Sequence, residues 1–551
     1  MKKMKSWMVA ILAMMLYPAY GQGNKQFITD PLPITKESGW NKVLCMKNGM
    51  TVLLHFEIDK GITVTTFDSL HHQTGCNTET YQVLDITKIA ALYFEGLYDI
   101  NGEAVLFLTQ EYLGKHQLVR IQYDPTTGRK TNEVAVKTSP GAANRISFTV
   151  THSKDLENYA IFYYMDVLRG AKTNELSVEW FNNKHEVIKE IKLPIDRKNF
   201  DYCDDVSAEL RKEGLLVTLS LAKTVTEGTL GRYAPYSQNS GVYEEYLDFI
   251  FLPVDGGAPL PILIKSVPNL LPVYSLFTYN LFANTSNNLV YFYKPYNYGL
   301  SETGYNTANV FIKLDEQDRT AGFNHINNTL ANSSLQKHTD TLNRFLGLPQ
   351  KMFTEGTGLT TLVSSSYRQF GEPETRVKYN FQDYIGNIAV TQLDDDGNEL
   401  WGEVLPMAQY FKSYTHYYLE LNRSTWWQAQ IIFGDQPEQV YNRQFVYFNT
   451  LQKGHDLYII YNDYDKNFNN TIEHPGDTVR DFWFTNACYY KINRKHEITK
   501  NYLFGKSAEN EYKCSFIESA DFDERRGSYA TLVQYKHGDD VSLRMAWVTL
   551  D

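Results

Sequence analysis

One repeated pattern constrains this chain more than any other feature: a tight polar turn followed at once by a run of β-branched and aromatic residues, eight times over. Turns such as Asn48-Gly49 and Asn101-Gly102 favour β-hairpins. The runs are TVLLHF (51–56), EAVLFL (103–108), YAIFYY (159–164), LLVTLSL (215–221), LVYFY (289–293), LTTLVS (359–364), LYIIY (457–461) and YATLVQY (529–535). Continuous apolar runs between turn residues are typical of strands buried on both faces.

Most of these units continue into a second hairpin whose turn contains Asp, Asn or Gly, so that each unit is a four-stranded meander, a-b-c-d. Eight meanders in series, with almost no helical periodicity, predict an all-β fold: a single β-propeller with eight four-stranded blades. Seven blades are the main alternative. Tandem β-sandwiches are a further alternative, but they need linkers, and no stretch rich in Pro, Gly and Ser separates the units.

The two ends of the repeat region complement each other. The last segment, SLRMAWVTLD, corresponds to a c strand, which leaves the eighth unit one strand short. An extended segment near the start, QFITDPLPI, belongs to no unit. We therefore expect this N-terminal segment to pair as the missing d strand and to close the ring, because an unpaired edge invites association.

Two turns carry a family resemblance. Asp124-Pro125-Thr126-Thr127-Gly128 resembles the D-x-x-T-G turn of quinoprotein-like propeller repeats, and LDDDGNELW (393–401) looks like a version one residue shorter with Trp401 at the docking position. The superfamily includes eight-bladed proteins, pyrroloquinoline quinone dehydrogenases and cofactor-free scaffolds, among them a lipoprotein of outer-membrane protein assembly. No residue set here matches a quinone or metal site, so the resemblance implies a fold and not an activity.

The first residues have the pattern of an export signal. Lys2, Lys3 and Lys5 precede an apolar stretch, and Ala19-Tyr20-Gly21 provides a small-x-small cleavage pattern. We expect a signal peptide at 1–21 and a mature chain, 22–551, that is soluble and either periplasmic or secreted. The apolar stretch is shorter than the ~20 residues of a transmembrane helix, and no Cys follows the cleavage site to carry a lipid anchor.

Charge and cysteine content exclude several classes. The chain has 53 basic and 64 acidic residues, a net charge of −11 that becomes −14 without the three signal lysines. Nucleic-acid binding is not expected, because it needs clustered Lys and Arg. Five scattered cysteines, with no C-x-x-C pair, form neither a disulfide framework nor a zinc site, and we interpret them as buried strand residues.

The insertions fall on one side. In a four-stranded meander the a-b and c-d turns share one face, here the turn face, and the b-c and d-a connections share the other, here the loop face. The turns are short, whereas long loops are predicted on the loop face at 222–245, 294–308, 328–350, 367–384, 407–442 and 462–481. Insertions on one face of a repeat protein often mark its binding face.

These loops are rich in aromatic side chains and amides. Tyr and Trp provide contact area with a polar tip, and amides provide adaptable hydrogen bonds. We predict a binding surface for a protein or a glycan, unless these aromatics only pack the loops onto the scaffold. The candidate binding residues are Tyr233, Tyr236, Tyr296, Tyr298, Tyr367, Tyr384, Trp426 and Trp427.

Candidate chemistry is sparse. Asp463, Asp465 and Asn467 have the D-x-D-x-N spacing of a calcium loop, but the Gly at its sixth position and the Glu at its twelfth are missing. No other cofactor is expected. His71-His72, in a c-d turn, is interpreted as a pair of solvated turn residues.

The leading hypothesis is an extracytoplasmic binding or scaffold propeller that engages an envelope or extracellular protein, or a glycan, through its loop face. One alternative is a secreted glycan-active hydrolase or lyase that uses a loop carboxylate pair, drawn from Glu244, Glu245, Asp383, Asp463 and Asp465. A further alternative, an envelope-assembly factor, follows from the family resemblance.

Overall fold

The computed structural model describes most of the repeat region. The described residues are 25–34, 39–57, 60–87, 92–139, 146–153, 157–165, 175–194, 202–210, 214–226, 242–253, 257, 260–265, 279–283, 288–293, 308–315, 320–339, 345, 347–354, 358–372, 380–413 and 444–551. The predicted signal peptide lies outside them.

The described part of the chain forms eight antiparallel sheets, numbered here in chain order. An N-terminal strand, β1, precedes sheet 1. The strands of the first half are β1 (Lys25–Ile28); sheet 1, β2 (Trp40–Cys45), β3 (Thr51–Glu57), β4 (Gly61–Phe67) and β5 (Gln73–Thr78); sheet 2, β6 (Tyr93–Ile100), β7 (Glu103–Tyr112), β8 (Lys115–Tyr123) and β9 (Lys130–Thr138); sheet 3, β10 (Ile146–His152), β11 (Tyr159–Met165), β12 (Glu175–Phe181) and β13 (Val187–Pro194); and sheet 4, β14 (Tyr202–Leu210), β15 (Gly214–Thr226), β16 (Val242–Pro253) and β17 (Leu260–Lys265).

The second half repeats the arrangement with one helix and two extra strands. Its elements are sheet 5, β18 (Tyr279–Ala283), β19 (Asn288–Tyr293), β20 (Ala308–Asp315) and β21 (Thr320–Ile326); helix α1 (Thr329–His338); sheet 6, β22 (Gly347–Thr354), β23 (Thr360–Glu372), β24 (Asn380–Leu393), β25 (Glu399–Leu405) and β26 (Gln409–Ser413); sheet 7, β27 (Phe448–Lys453), β28 (Asp456–Asp463), β29 (Asn486–Ile492) and β30 (Ile498–Tyr502); and sheet 8, β31 (Glu511–Ser515), β32 (Asp521–Asp523), β33 (Ser528–His537) and β34 (Asp540–Thr549). The added strands are β26, which pairs with β24, and β32, which pairs with β33.

Every one of the eight predicted apolar runs is a b strand, paired on both sides within its sheet. Their burial explains their composition. In β3, Val52 and Leu54 pack into one hydrophobic cluster and Leu53 into another, so both faces of the sheet are covered. Burying each such side chain contributes roughly 1.5–3 kcal/mol. The all-β prediction is confirmed, and so is the four-stranded meander.

The N-terminal segment pairs with the end of the chain, as the sequence predicted. Strand β1 runs antiparallel to β34, with Lys25 opposite Thr549 and Ile28 opposite Ala546. The contact continues beyond the strand, because the Thr29 N–H donates to the Met545 carbonyl at 2.9 Å. Residues at the two ends of the chain therefore share sheet 8.

Neighbouring sheets pack against each other in chain order. The first strands are in contact from β2 to β6, β6 to β10, β10 to β14, β14 to β18 and β18 to β22, and sheet 7 contacts β31. Sheets 6 and 7 share a hydrophobic cluster that includes Val363 and Ile459. Sheet 8 in turn contacts β2 through β32 and β33. Several four-stranded antiparallel sheets in this order are consistent with a propeller.

The c-d turns confirm the predicted Asx chemistry. Asp68 Oδ1 accepts hydrogen bonds from the Leu70 and His72 N–H groups at 2.8 and 2.9 Å. The turns that begin at Asn182, Asp394 and Asn493 repeat this pattern. Their fourth residue has a positive φ and is His71, His185, Gly397 or His496. An Asx side chain closes such a turn without help from the strands.

These turns pack against the preceding sheet. The His496 ring stacks on Trp401 of sheet 6 at 4.4 Å, and the His71 ring stacks on Trp547 of sheet 8 at 4.3 Å. A Cβ added to Gly397 would meet the Phe311 ring of sheet 5. The expectation of two solvated turn residues is therefore wrong for His71: its ring packs against a neighbour, and burial, with the nearby Arg526 charge, lowers the His71 pKa. His72 is exposed, as expected.

Several predicted loops contain more secondary structure than expected. β15 and β16 are paired as far as Thr226 and Val242, and β23 and β24 as far as Glu372 and Asn380. Part of 222–245 and most of 367–384 are therefore strand, because hydrogen bonding continues between the arms of each hairpin. Helix α1 occupies part of 328–350, and β26 part of 407–442.

The prediction that the cysteines are buried strand residues is correct in part. All five cysteines lie in strands. Cys488 and Cys514 are buried as predicted and Cys45 is half-buried, but Cys76 is exposed, because it lies in the outer strand β5. Within the described ranges no helix is long and apolar enough to span a membrane.

Candidate functional site

The loop face is built on long hairpins and on the connection 464–485. Strand β23 has 13 residues and β28 has 8. At about 3.3 Å per residue, the five extra residues extend the β23–β24 hairpin by roughly 16 Å. Strand β26 lies along β24 and supports this hairpin, with Tyr410 opposite Tyr384. The β23–β24 hairpin and β26 thus form an ordered part of the loop face in sheet 6.

The connection 464–485 is anchored by Asn467, a buried amide. Its Nδ2 donates to Asp463 Oδ1 and to the Asp477 carbonyl, both at 2.7 Å, and its Oδ1 accepts from the Asp477 N–H at 2.9 Å. A single side chain therefore joins the start of the connection to its middle. Because both the nitrogen and the oxygen of this amide have hydrogen-bond partners, its burial costs little free energy while it holds the loop in place.

A buried ion pair lies directly beneath this anchor. Lys500 Nζ donates to Asp463 Oδ2 at 3.1 Å and to the Asn467 carbonyl at 3.0 Å. The side chains of Lys500 and Asp463 are only 11% and 9% exposed. The rings of Tyr461, Phe468 and Tyr490 lie 5.5 to 5.6 Å from the ammonium. Burial raises the pKa of Asp463, although Lys500 and Asn467 both favour its charged form.

The three residues of the predicted calcium loop have other partners here. The Lys500 ammonium lies beside Asp463, Asn467 holds Asp477, and Asp465 Oδ1 accepts from Asn486 Nδ2 at 2.7 Å. Across the part of the chain that the structure describes, no three His, Cys, Asp or Glu side chains gather at metal distance. The calcium site therefore stays a prediction.

The predicted aromatic binding residues are only partly within the described ranges. Tyr384 is half-buried in β24, opposite Arg368, and the backbone of Tyr367 lies in β23 opposite Ile385. These two residues therefore belong to the same hairpin. The other six, Tyr233, Tyr236, Tyr296, Tyr298, Trp426 and Trp427, lie outside the described residues, and their role stays a prediction.

Sequence reasoning missed a contact between β26 and the connection 464–485. The Tyr410 N–H donates to the Val479 carbonyl at 2.8 Å, and the Val479 N–H donates to the Ala408 carbonyl at 2.9 Å. The Arg480 guanidinium then lies 4.8 Å from the centre of the Tyr410 ring. Both segments belong to predicted loops, but nothing in their sequences indicates that they pair.

A second missed feature is a group of aromatic and cationic side chains at the loop face of sheets 7 and 8, here called the rim patch: Phe484, Tyr512 and Lys536. Phe484 is 43% exposed, with Lys536 Nζ 3.8 Å from its ring centre and the Tyr512 ring 5.4 Å away, edge to face. The Arg544 guanidinium lies 4.5 Å from the centre of the Tyr535 ring on the opposite face of sheet 8, because neighbouring residues of a strand point to opposite faces. The rim patch thus combines an exposed ring with one cation.

The rim patch is held by ordered backbone. Asp481 caps the short 3-10 turn Phe482–Phe484 by accepting from the Trp483 N–H at 3.0 Å. Phe482 is buried, and its carbonyl accepts from Thr485 Oγ1 at 2.7 Å. Tyr512 and Lys536 are directly paired across β31 and β33. Their alternation with buried neighbours was visible in the sequence, but the contact with Phe484 was not.

No family model matches this chain, and no curated protein matches it.

Among solved structures, the polysaccharide lyase Uly1 is similar to this chain at 8% identity, with a TM-score of 0.39, over 98% of this chain and 95% of that one. An ulvan lyase bound to a GlcA–Rha3S saccharide matches at 9% identity, with a TM-score of 0.34, over 72% and 87% of the two chains. The GH43 endo-arabinanase from Bacillus licheniformis matches at 9% identity, with a TM-score of 0.24, over 52% and 98%. These values describe a distant likeness.

Proposed function

We propose that this protein is an exported, eight-bladed β-propeller that binds a glycan through its loop face. Two observations support a closed ring: β1 completes sheet 8 by pairing with β34, and sheet 8 contacts β2 of sheet 1. Export is supported by the lysine-rich start and the apolar stretch of residues 1–21. Sequencing the N-terminus of the purified mature protein tests it, with Gln22 as the expected first residue.

The rim patch carries the proposal of glycan binding. Phe484 is an exposed ring on an ordered turn, with Tyr512 at its side and Lys536 above it. A sugar offers C–H groups that pack against an aromatic ring and hydroxyls that bond to polar neighbours, so this combination fits it. What distinguishes Phe484 from the other exposed hydrophobic residues is the combination of an adjoining aromatic ring and an ammonium group.

The residues that hold the rim patch in place favour binding as well. The Asn467 anchor and the Asp463–Lys500 pair hold the connection that carries Phe484. A surface ordered before the ligand arrives loses less conformational entropy on binding. By contrast, the Asp463 carboxylate, one of the predicted loop carboxylates, is buried against Lys500 and is not presented to a substrate.

Native electrophoresis in gels that contain neutral or acidic polysaccharides tests the proposal. We expect at least one polysaccharide to retard the wild-type protein, and Phe484→Ala to weaken this retardation about fivefold to tenfold, the effect of losing about 1 kcal/mol of aromatic contact. Leu400→Ala is the matched control, since Leu400 is 52% exposed and lies next to a c-d turn on the turn face.

Two results would contradict the proposal. Unchanged mobility in every gel would refute glycan binding, and equal loss in both variants would refute the assignment to the rim patch. If a retained polysaccharide also becomes shorter during incubation, the protein is a glycan-active enzyme and not a binding module alone. If capture from the cell envelope recovers a protein that Phe484→Ala releases, while no gel retards the chain, the patch serves a protein partner.

A further inference from the structure

The cation of the rim patch, Lys536, differs from four other lysines of sheets 7 and 8. In this acidic chain, Lys466, Lys491, Lys500 and Lys513 each have a carboxylate partner, respectively Asp477, Asp456, Asp463 and Glu511. Lys536 and Arg544 have no acidic partner among the described residues: Lys536 lies over the Phe484 ring, and Arg544 lies over the Tyr535 ring and donates to Ser542 Oγ at 3.1 Å.

The carboxylate of Glu511, which precedes Tyr512 in β31, is already engaged. Glu511 accepts a hydrogen bond from the Tyr535 hydroxyl and another from the Ala508 N–H, and Lys513 Nζ lies 3.3 Å from its Oε1. Partial burial works against ionisation, but these partners lower the Glu511 pKa. The glutamate is thus an anion with its own partners, and Lys536 has no ion pair among the described residues.

From this we infer that the ligand is an acidic polysaccharide, one of whose sugars packs on Phe484 while its carboxylate or sulfate group pairs with Lys536. The inference rests on the proposed function and adds the charge of the ligand. An ammonium 3.8 Å from a ring centre can turn toward an anion while the ring keeps its contact with the sugar. Arg544 lies with Tyr535 on the other face of sheet 8, because it is opposite Val533 whereas Lys536 is opposite Tyr512, so Lys536 alone provides the cation beside Phe484.

Polysaccharide pairs that differ mainly in charge separate the effect of the ligand's charge from the effect of sugar packing. Dextran sulfate is compared with dextran, and polygalacturonate with its methyl ester. We expect retardation by at least one acidic member and less by its neutral counterpart. Lys536→Gln should weaken this retardation about threefold to fivefold, and raising the salt from 0.05 to 0.5 M should weaken wild-type binding as well, because exposed ion pairs are modest and screened. The pair of acidic probes distinguishes a sulfate from a carboxylate.

The control for charge is Lys495→Gln. Lys495 is exposed in the c-d turn of sheet 7, on the turn face, so this variant loses the same charge far from the patch. Phe484→Tyr, which keeps a ring, should retain binding. If Phe484→Ala abolishes the binding of a neutral polysaccharide and Lys536→Gln changes nothing, the inference fails and the proposed function stands. If Lys495→Gln acts like Lys536→Gln, the inference fails, whereas the proposed function still depends on Phe484→Ala. If neither Phe484→Ala nor Lys536→Gln alters any retardation, both fail.

Discussion

Replacing Lys500 by Met tests how the loop face is supported. The substitution keeps the volume of the long side chain but leaves the Asp463 carboxylate buried without its ammonium partner. Removing one member of a buried ion pair typically costs about 3–5 kcal/mol. Both side chains are at most 11% exposed, so little solvent screening reduces this value. We therefore expect Lys500→Met to lower the free energy of unfolding at pH 7 by about 3 kcal/mol or more.

The pH dependence of this loss follows from Asp463. Burial raises its pKa, so the folded chain holds the proton more tightly than the unfolded chain does. Ionisation of Asp463 therefore costs stability as the pH rises above the unfolded value of about 3.9. Without Lys500 this pKa rises further and the cost at pH 7 grows. As the pH falls toward this unfolded value, more of the folded variant carries a protonated Asp463, so the difference between wild type and variant should shrink.

Urea denaturation followed by tryptophan fluorescence at pH 7 and pH 4 measures both effects. Lys495→Met is the control for the same substitution at an exposed site. The double variant Lys500→Met, Asp463→Asn buries no charge and should recover all but about 1–2 kcal/mol of the loss, the value of the remaining hydrogen bonds. A loss below 1 kcal/mol at pH 7, or a double variant as unstable as the single one, would refute the reasoning.

Three further predictions concern the scaffold. His55 is buried with Nδ1 2.8 Å from Asn41 Oδ1, and burial lowers its pKa to about 4. The free energy of unfolding should therefore fall by about 3 kcal/mol as the pH drops from 6.5 to 4. In urea titrations His55→Gln should remove this pH dependence, and an unchanged pH dependence would assign it to other groups. Deleting residues 22–28 removes β1 and leaves the β34 edge unpaired, so size-exclusion chromatography should show self-association that deletion of 22–24 alone does not cause. His496 has a φ of 63°, which glycine adopts without strain and alanine does not. His496→Ala should therefore lower the free energy of unfolding by about 1 kcal/mol more than His496→Gly. Equal losses would mean that only the ring stacked on Trp401 matters.

The repeat could be predicted from sequence because its signal is local. Each b strand is a short apolar run between turn residues, and β3 or β28 is buried on both faces because sheets lie on both sides of it. The N-terminal strand was predictable for a different reason: one unit lacked a strand, and one extended segment lacked a unit. Both inferences need only the periodicity of the chain.

The support of the candidate site could not be predicted in the same way. Asp463 and Lys500 are far apart in sequence and meet because Asp463 pairs with Asn486, while Tyr490, later in the same strand, pairs with Lys500. That register depends on two hairpins of sheet 7 together. The D-x-D-x-N spacing drew attention to the right segment for a calcium site, but the ammonium beside Asp463 comes from β30. Similarly, nothing near Phe484 in the sequence indicates Lys536.

The two faces of the sheets perform different tasks, and this division explains where the chain tolerates insertion. On the turn face, His71, His496 and Gly397 each pack against the preceding sheet, so a longer c-d turn there would disturb an interface between sheets. On the loop face, the b-c connections leave the sheets after their hydrogen bonding is complete. In the connection 464–485, Asn467 and Lys500 hold the first part through contacts inside sheet 7, whereas Val479 joins the second part to β26 of sheet 6. Changes in the first part of this connection can therefore alter the loop face while the c-d turns keep their contacts with the preceding sheet.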